Sequence, residues 1–262
     1  MALTGKIAAI TASTKGIGLA CAEKFLKEGA IVYISSRRQQ AVDKEINRLN
    51  KTFPNKIFGT ACHVSDYEQR TNLKNLIESN HGKLDILVSN AANNNYFGPT
   101  VLCPKKSWDK IFDVNVVSAA MLIQEFLPLL ESANQSANSG AKSGTQSNIT
   151  CISSIVASTK TDMLGPYSVS KAALSALVRQ LSRELAAKNI RINSVEPGVV
   201  KTDFATVLHD PKSPYSKMLD NFDMKRAGEP EEIANLVKFL SSEEASFITG
   251  ESHRICGGSP GW

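Results

Sequence analysis

The sequence predicts an α/β protein with a Rossmann-like, doubly wound parallel sheet of about seven strands, helices on both faces, and one domain. Three observations support this fold class. Short apolar runs alternate with segments of helical period along the 262 residues, which is typical of βαβ units. The apolar runs are nearly continuous, as in strands that helices cover on both sides. A glycine-rich segment, TASTKGIG at 11–18, separates the first strand from the first helix.

The predicted elements follow one another in regular order. We expect strands at 6–11, 31–35, 56–61, 84–89, 148–153, 190–195 and near 253–256. We expect helices at 16–28, 39–51, 66–80, 107–130, 167–188 and 229–241. No change in composition divides the chain, so residues 1–262 are predicted to form a single domain.

Three segments between these elements have separate predictions. The stretch 131–148 is small and polar, which predicts a flexible surface insertion, with a partner-binding role as the less favoured alternative. Residues 203–227 are expected to cover the substrate, and 158–165 to line its other wall. The first of these two loops has apolar residues that form either a lid or an anchor to the core, and both alternatives stay open: Phe204, Leu208, Met218, Leu219 and Phe222.

Composition argues against several classes of protein. The net charge of +5 is mild, and no arginine-rich strip is interleaved with aromatic residues, so we expect no nucleic-acid partner. No uninterrupted apolar run reaches the roughly 18 residues of a membrane span. With no signal-peptide pattern at the start and PGW rather than a peroxisomal tripeptide at the end, we expect a cytoplasmic protein. The five cysteines and four histidines lack metal-ligand spacing, so no metal is expected.

The glycine-rich segment is predicted to bind a pyrophosphate. Its glycines let the backbone approach a phosphate closely, and the following helix offers free N–H groups and the positive end of its dipole. Ala12 replaces the first glycine of the usual fingerprint, which fits only if residue 12 keeps a negative φ. Cofactor contacts are expected from Thr14, Lys15, Gly16, Ile17 and Gly18.

The second strand runs into YISSRRQQ at 33–40, which has no acid where folds that prefer NAD usually carry one. Ser36 and Arg37 instead offer a hydroxyl and a guanidinium, and Lys15 can add a second cation from the glycine loop. This set suits a ribose 2′-phosphate, which an acid would repel. Arg38 either joins the set or lies at a solvated helix start. We therefore predict NADPH/NADP+ as the cofactor.

The motif YSVSK at 167–171 predicts the reacting end of the site. Tyr167 and Lys171 share one helix face, and the lysine ammonium, with a cationic nicotinamide ring, is expected to favour the phenolate. Ser154, at the end of the fifth strand, is expected to hold a carbonyl oxygen. Asn115 lies in mid-helix, where asparagine has little reason to be unless its amide is used.

With these motifs in place, the chain resembles the short-chain dehydrogenase/reductase family from about residue 4 to 258. The resemblance implies a catalytic tetrad of Asn115, Ser154, Tyr167 and Lys171. In this family the tyrosine is the acid/base and the serine orients the substrate. The lysine binds the nicotinamide ribose and lowers the tyrosine pKa, and the asparagine holds a water of the proton relay.

Other motifs extend the resemblance. SNAA at 89–92, PGVVKT at 197–202 and ITGE at 248–251 match family motifs. They imply further cofactor contacts from His63, Val64, Asn90, Ala91, Ala92, Pro197, Gly198, Val200 and Thr202. Three positions depart from the family pattern, namely alanine for glycine at 12 and 92 and His63 for the aspartate that meets adenine. The segments SSR-QQ, CHV and VSNAA resemble in particular its NADPH-dependent carbonyl and retinal reductases, and partly its tropinone-reductase-like group.

The resulting hypothesis is NADPH-dependent reduction of hydrophobic or aromatic ketones and aldehydes, with dicarbonyls, retinal and steroid-like ketones as candidates. Substrate contacts are expected from Ser154, Tyr167, Phe204 and Leu208. One alternative is a 3-oxoacyl thioester reductase, whose carrier would need a basic entrance such as Lys201, Lys212, Lys217, Lys225 and Arg226. A remote alternative is an NADPH-binding scaffold. The resemblance also implies a homo-oligomer, a tetramer or dimer, formed through 107–130 and 167–188.

Overall fold

The computed structural model describes residues 1–135, 146–210, 212–213 and 216–258. Seven parallel strands form one sheet in the order β3-β2-β1-β4-β5-β6-β7. The strands are β1 (Ile7–Ile10), β2 (Ile31–Ser36), β3 (Ile57–Ala61), β4 (Ile86–Ser89), β5 (Ser147–Ile152), β6 (Ile190–Pro197) and β7 (Ser252–Ile255). The predicted Rossmann-like fold class is confirmed.

Helices connect these strands across both faces of the sheet. They are α1 (Gly16–Lys27), α2 (Gln39–Asn50), α3 (Tyr67–His81), α4 (Lys105–Phe112), α5 (Ser118–Gln135), α6 (Gly165–Ala186), α7 (Thr206–His209) and α8 (Pro230–Ser241). The single helix predicted at 107–130 is divided, because a π-helical turn at Asp113–Val117 separates α4 from α5. The short helix α7 was not predicted.

Successive strand residues supply two cores, one on each face of the sheet. Ala8 and Ile10 of β1 pack in the cluster that includes Phe25 of α1. Ile7 and Ala9 point the other way, into the cluster formed with α3, α5 and α6. This alternation follows from the strand period of two, and it explains why the strands read as continuous apolar runs.

The region Lys105–Asn134 contains an 18-residue window of mean hydropathy 1.4, long and apolar enough by length and composition to cross a membrane. Sequence analysis found no uninterrupted apolar run there because Gln124 and Glu125 interrupt it. Leu122 and Phe126 of this region are fully or almost fully buried in the second core. Packing against the sheet therefore accounts for part of the apolar character of this helix.

The segment predicted to be a flexible insertion, 131–148, is shorter than expected at both ends. Residues 131–135 continue α5, and residues 147–148 begin β5, whereas 136–145 lie outside the described residues. Asn134 of α5 accepts a hydrogen bond from the main-chain N–H of Ser147 at 2.8 Å, which holds the helix end against the strand start.

The carboxyl ends of the central strands lie at one edge of the sheet and position the candidate site. Strand β1 pairs with both β2 and β4, so the chain reverses direction across the sheet beside β1. Open α/β sheets bind ligands in the crevice at such a switch point. The glycine-rich segment, SNAA, Ser154 and PGVVKT follow β1, β4, β5 and β6 respectively, so the topology brings these motifs to the same edge.

Candidate active site

The glycine-rich loop forms a cradle that fits a pyrophosphate. Gly16 has a φ of 57°, and a Cβ at Gly18 would lie 2.6 Å from both the Ala12 carbonyl oxygen and Asn90 Nδ2. Helix α1 begins with no side-chain cap at Lys15 and no acid in its first turn. Its first N–H groups are therefore left for an anion. These features fit a dinucleotide bound at this edge.

Ala12 does not keep the negative φ that the sequence analysis required. Its φ is 50°, in the left-handed region where a residue with a Cβ is strained by about 1 to 2 kcal/mol. Asn90 Nδ2 donates to the carbonyl oxygens of Thr11, at 3.1 Å, and Ala12, at 3.0 Å. These two bonds from the end of β4 hold the loop in the conformation that a glycine would adopt more easily.

Thr11 is a residue of the site that sequence reasoning missed. Its hydroxyl oxygen accepts hydrogen bonds from the main-chain N–H groups of Asn90, at 2.9 Å, and Ala91, at 3.2 Å. It also donates to the Val88 carbonyl at 3.4 Å. The SNAA segment thus braces the glycine loop. The signal that the sequence offered for Thr11 was a hydroxyl side chain at the end of the first apolar strand.

The residues expected around the adenosine lie beyond β2 and β3. Ser36 is half-buried at the end of β2, while Arg37 and Arg38 are exposed. His63 Nδ1 accepts a hydrogen bond from the Ser65 N–H at 3.2 Å, so the hydrogen of the neutral ring is on Nε2. Burial, and then the charges of Lys110 and Arg37, lower the pKa of His63. The ring is therefore a neutral donor at pH 7.

A buried ion pair supports the loop that carries His63 and Val64. Arg70 donates to Glu125 through Nε, at 3.0 Å, and Nη2, at 2.7 Å. Its Nη1 donates to the Val64 carbonyl at 2.6 Å. Both members of the pair are largely buried, with side chains 6% and 17% exposed. Arg70 thereby links α3, α5 and the loop after β3.

Three of the four tetrad residues expected from the sequence come together where β5 ends and α6 begins, namely Ser154, Tyr167 and Lys171. Lys171 Nζ lies 5.6 Å from the centroid of the Tyr167 ring and donates to the Ile152 carbonyl at 2.8 Å. The Ser154 side chain acts on the Tyr167 hydroxyl and lowers the pKa of the phenol. Ser154 itself begins a short 3₁₀ turn, Ile155–Ala157, and accepts from the Val156 N–H at 3.4 Å.

The pKa of Tyr167 moves in the direction opposite to the sequence prediction. Burial raises it, and the hydrogen bond with Ser154 opposes this only in part. Burial also lowers the pKa of Lys171 to about 8, which weakens the positive charge that was expected to favour the phenolate. In the protein without cofactor, Tyr167 is therefore a neutral phenol at physiological pH, which is the form that donates a proton.

Asn115 lies within the π-helical turn, with its side chain almost fully buried. Its Oδ1 accepts from the Asn93 N–H at 2.7 Å, and its Nδ2 donates to the Asn93 carbonyl at 3.0 Å and to Ser170 Oγ at 2.9 Å. The amide thus ties the loop after β4 to α6 beside Tyr167. Sequence reasoning missed both partners: Asn93 directly follows the SNAA motif, and Ser170 lies within YSVSK.

The segment after β6 closes onto the glycine loop. A Cβ at Gly16 would lie 3.2 Å from Thr202 Cγ2, so these two segments are in contact. Val200 is buried and forms a bridge with Gly228. A Cβ at Gly198 would lie 2.9 Å from Cys256 Cα, which explains the glycine of the PG motif. The cofactor contacts implied for this segment stay predictions.

The apolar residues of the loop at 203–227 were expected either to form a lid or to anchor the loop to the core, and the structure shows residues of both kinds. Phe204 is 57% exposed, and its ring centroid lies 5.8 Å from that of Tyr167, so it lines the reacting end. Leu208 is half-buried within α7. Phe222 is buried and anchors the far part of the loop. The structure leaves Met218 without a described side chain.

The opposite wall includes a segment that was not predicted. The Gly98 N–H donates to the Met163 carbonyl at 3.0 Å, joining the loop after β4 to the expected wall at 158–165. Gly165 packs against Thr100 so closely that no Cβ fits there. Residues 98–100 therefore pack against the segment 158–165 that is expected to line the substrate.

Two of the basic residues considered for a carrier entrance are already engaged. Lys201 pairs with Glu229, and Arg226 forms a two-pronged pair with Glu232, at 2.8 Å for each bond. Lys225 is exposed and follows Phe222 at the end of the loop. The described part of this loop therefore presents fewer unpaired cations than its sequence indicates.

A phosphate cradle, a switch-point sheet and the tyrosine–lysine–serine cluster together define an oxidoreductase of the dinucleotide-binding type. A family model described as enoyl-(acyl carrier protein) reductase matches residues 11–259. The chain belongs to the short-chain dehydrogenase/reductase family, as its motifs predicted.

Similar proteins share nearly the whole chain. Dehydrogenase/reductase SDR family member 4 of Oryctolagus cuniculus is 42% identical over 98% of this chain and 95% of the rabbit protein. The structure of a 7α-hydroxysteroid dehydrogenase with NADH and 7-oxo glycochenodeoxycholic acid is 31% identical, with a TM-score of 0.87 over 98% of this chain and 95% of that one. L-Sorbose reductase from Gluconobacter frateurii, complexed with NADPH and L-sorbose, is 28% identical, with a TM-score of 0.87 over 98% of each chain.

Proposed function

We propose that this protein is an NADPH-dependent carbonyl reductase that converts hydrophobic or aromatic ketones and aldehydes to alcohols. One observation carries the proposal. The buried Tyr167 phenol, held protonated by its surroundings, lies among the Ser154 hydroxyl, Lys171 and the exposed ring of Phe204. This cluster offers a proton, an oxygen ligand, a cation and an apolar surface at one place.

Each residue has a separate task in the reduction. When bound, the nicotinamide supplies hydride to the carbonyl carbon. Tyr167 donates its proton to the carbonyl oxygen, and Ser154 stabilises the charge that develops there through a second hydrogen bond. Lys171, positively charged below its pKa of about 8, stabilises the phenolate that remains. Asn115 fixes the loop after β4 beside these groups.

The preference for NADPH over NADH rests on the residues beyond β2. Ser36 and Arg37 offer hydrogen-bond donors to a 2′-phosphate, and no acid is present at the end of β2 to repel it. Lys15, exposed just before α1 and paired with Asp203, is the second cation that we expect to contact this phosphate. Since the 7α-hydroxysteroid dehydrogenase structure holds NADH and the L-sorbose reductase structure holds NADPH, the fold accommodates both cofactors. These side chains are therefore the basis of the proposed choice.

The proposed substrate class follows from the character of the walls. Phe204 and Val207 expose 57% and 54% of their surface on the loop that covers the site. Such apolar surface favours hydrophobic or aromatic carbonyl compounds, with dicarbonyls, retinal and steroid-like ketones as candidates. The similarity to dehydrogenase/reductase SDR family member 4 agrees with a carbonyl reductase.

A second candidate function is reduction of a 3-oxoacyl thioester. The description of the matching family model, which names an acyl carrier protein, favours it. The pairing of Lys201 with Glu229 and of Arg226 with Glu232 weakens it, because an acidic carrier or a CoA phosphate would need unpaired cations.

We also propose a homo-oligomer, a dimer or tetramer. Apolar side chains are exposed along the helices expected at the interface, with Val117 51%, Met121 36% and Val169 48% exposed. A second copy that covered these side chains would remove them from water. Sedimentation analysis tests this, and a monomer at micromolar concentration would contradict it.

The decisive experiment measures the loss of NADPH absorbance in the near ultraviolet with an aromatic α-dicarbonyl, with NADH run in parallel. Consumption of NADPH, and much slower consumption of NADH, is the expected result. A 3-oxoacyl thioester is the second substrate, and faster turnover of that compound would favour the second candidate. No consumption of NADPH with either substrate, despite tight binding, would contradict both.

A further inference from the structure

We propose that Asp203 is a specificity-determining residue, which competes with the 2′-phosphate of NADPH for the ammonium of Lys15. The inference rests on the proposed use of NADPH. It assigns a role to a carboxylate that is part of neither the tetrad nor the phosphate cradle. It predicts that Asp203 weakens the binding of NADPH and not that of NADH.

Lys15 and Asp203 form an exposed ion pair beside the glycine-rich loop. Lys15 Nζ lies 2.7 Å from Asp203 Oδ2, in hydrogen-bonding contact. The two side chains are 71% and 76% exposed, so neither is held in place by packing. Lys15 has an extended backbone just before α1, and Asp203 begins a 3₁₀ turn, Asp203–Ala205, after β6. The pair therefore joins the phosphate cradle to the loop that covers the substrate.

Contacts beside the pair keep the two segments close together. Thr202 lies against Gly16, where an added Cβ would be 3.2 Å from its Cγ2. His209 of α7 contacts the Thr202 carbonyl, with 3.1 Å between Nε2 and the oxygen. Since Asp203 follows Thr202 directly, its carboxylate stays within reach of Lys15 whenever the two segments are in contact.

The charges of Asp203, Lys15 and the 2′-phosphate determine how Asp203 affects cofactor affinity. A 2′-phosphate brings up to two negative charges and needs cations, and Lys15 is one of the few that the sequence offers it. While Lys15 pairs with Asp203, that ammonium is partly neutralised, and the carboxylate also repels the phosphate. NADH has no 2′-phosphate, so release of Lys15 from Asp203 gives it no additional ion pair. Asp203 is thus expected to lower the affinity for NADPH specifically.

The same turn reaches the reacting end of the site. Phe204 is the neighbour of Asp203, and its ring packs 5.8 Å from that of Tyr167, centroid to centroid. Occupation of Lys15 by a phosphate would release Asp203 from the cradle at the place where the substrate wall begins. The pair therefore lies between the group that distinguishes the two cofactors and the aromatic side chain that lines the substrate site.

The test is a double-mutant cycle on cofactor affinity. The wild type, Asp203→Asn, Lys15→Met and the double variant are titrated with NADPH and with NADH at low ionic strength, following cofactor fluorescence. Asp203→Asn should tighten NADPH binding about two- to fivefold, as expected for loss of an exposed competing ion pair, and leave NADH affinity unchanged. In the Lys15→Met background the same substitution should have a much smaller effect. High salt should reduce the gain.

Controls separate this inference from general charge effects and from the proposed function. Asp220→Asn removes an exposed carboxylate from the same loop and should leave both affinities unchanged. Equal tightening of NADH and NADPH by Asp203→Asn, or no tightening of NADPH, would overturn the inference. If the wild type binds NADH as tightly as NADPH, the proposed cofactor preference fails instead. Thermal unfolding confirms that each variant is folded.

Discussion

Lys171 Nζ lies 5.6 Å from the centre of the Tyr167 ring and donates a hydrogen bond to the Ile152 carbonyl at the end of β5. The lysine thus approaches the ring while its ammonium is anchored to the sheet. Both residues are buried, which raises the pKa of the phenol and lowers that of the ammonium to about 8. Tyr167 is therefore protonated at physiological pH, which is the form in which it can act as a proton donor.

Replacing Tyr167 by Phe is expected to reduce carbonyl turnover by about 10²- to 10⁴-fold, because the proton donor is lost. The affinity for NADPH should change little, since the glycine-rich loop and the residues after β2 are untouched. Steady-state kinetics and a cofactor titration measure the two effects. Turnover within a few-fold of the wild type would show that another group supplies the proton.

The pH dependence of reduction should report Lys171. Its pKa of about 8 means that the ammonium is charged below pH 8 and neutral above it. A neutral lysine cannot stabilise the phenolate formed when Tyr167 donates its proton. Reduction should therefore be fast below pH 8 and fall about tenfold per pH unit above it. The raised pKa of Tyr167 keeps the phenol protonated throughout this range, so the tyrosine does not cause the decline.

Lys171→Arg is the matched control for this pH profile. Arginine keeps its charge at all accessible pH values, so the variant should lose the inflection near pH 8 even if its overall rate is lower. An unchanged inflection in the variant would assign the titration to a different group.

Replacing Ala12 by Gly should stabilise the protein. Ala12 has a φ of 50°, and removing its Cβ relieves strain of about 1 to 2 kcal/mol, against about 0.5 to 1 kcal/mol for the extra flexibility of glycine in the unfolded chain. We expect a gain of up to about 1.5 kcal/mol in the free energy of unfolding, measured by urea denaturation. Ala41→Gly, in the helical backbone of α2, is the control and should be destabilising.

The Arg70–Glu125 pair provides a prediction about stability. Glu125→Gln should lower the free energy of unfolding by about 3 kcal/mol, because it leaves a buried guanidinium without its counter-charge. Replacing both members together, by Met and Leu, should cost less than the single change. Urea denaturation compares the three proteins. A double variant less stable than Glu125→Gln would mean that the bond from Arg70 to Val64 matters more than the ion pair.

The sequence predicts those parts of the site that depend on local spacing. Tyr167 and Lys171 lie on one helix face because helical geometry places residues i and i+4 together, and Ser154 reaches them from the end of the adjacent strand. The glycines around α1 are likewise a local requirement. The order of elements then brings these motifs to one edge of the sheet.

Features set by distant contacts could not be predicted in this way. The left-handed conformation of Ala12 depends on Asn90, whose amide reaches it from the end of β4. The raised pKa of Tyr167 depends on burial beneath Ile155 and Val156, so spacing to Lys171 gave the opposite direction. Helical periodicity gave no sign of the π-helical turn, because the residues on both sides of it keep an amphipathic pattern.

The π-helical turn at Asp113–Val117 changes the direction in which side chains point on either side of it within one continuous helix. Before it, α4 carries the buried Ile111, and within it Asn115 points to Asn93 and Ser170; beyond it, Leu122 and Phe126 face the sheet. Removing one residue from the turn would restore ordinary α-helical bonding but rotate one half against the other by about 100°. Either the Asn115 amide would leave Asn93 and Ser170, or the apolar stripe would leave the core. The extra residue lets the end of the helix that carries Asn115 and the end that packs on the sheet meet their separate requirements.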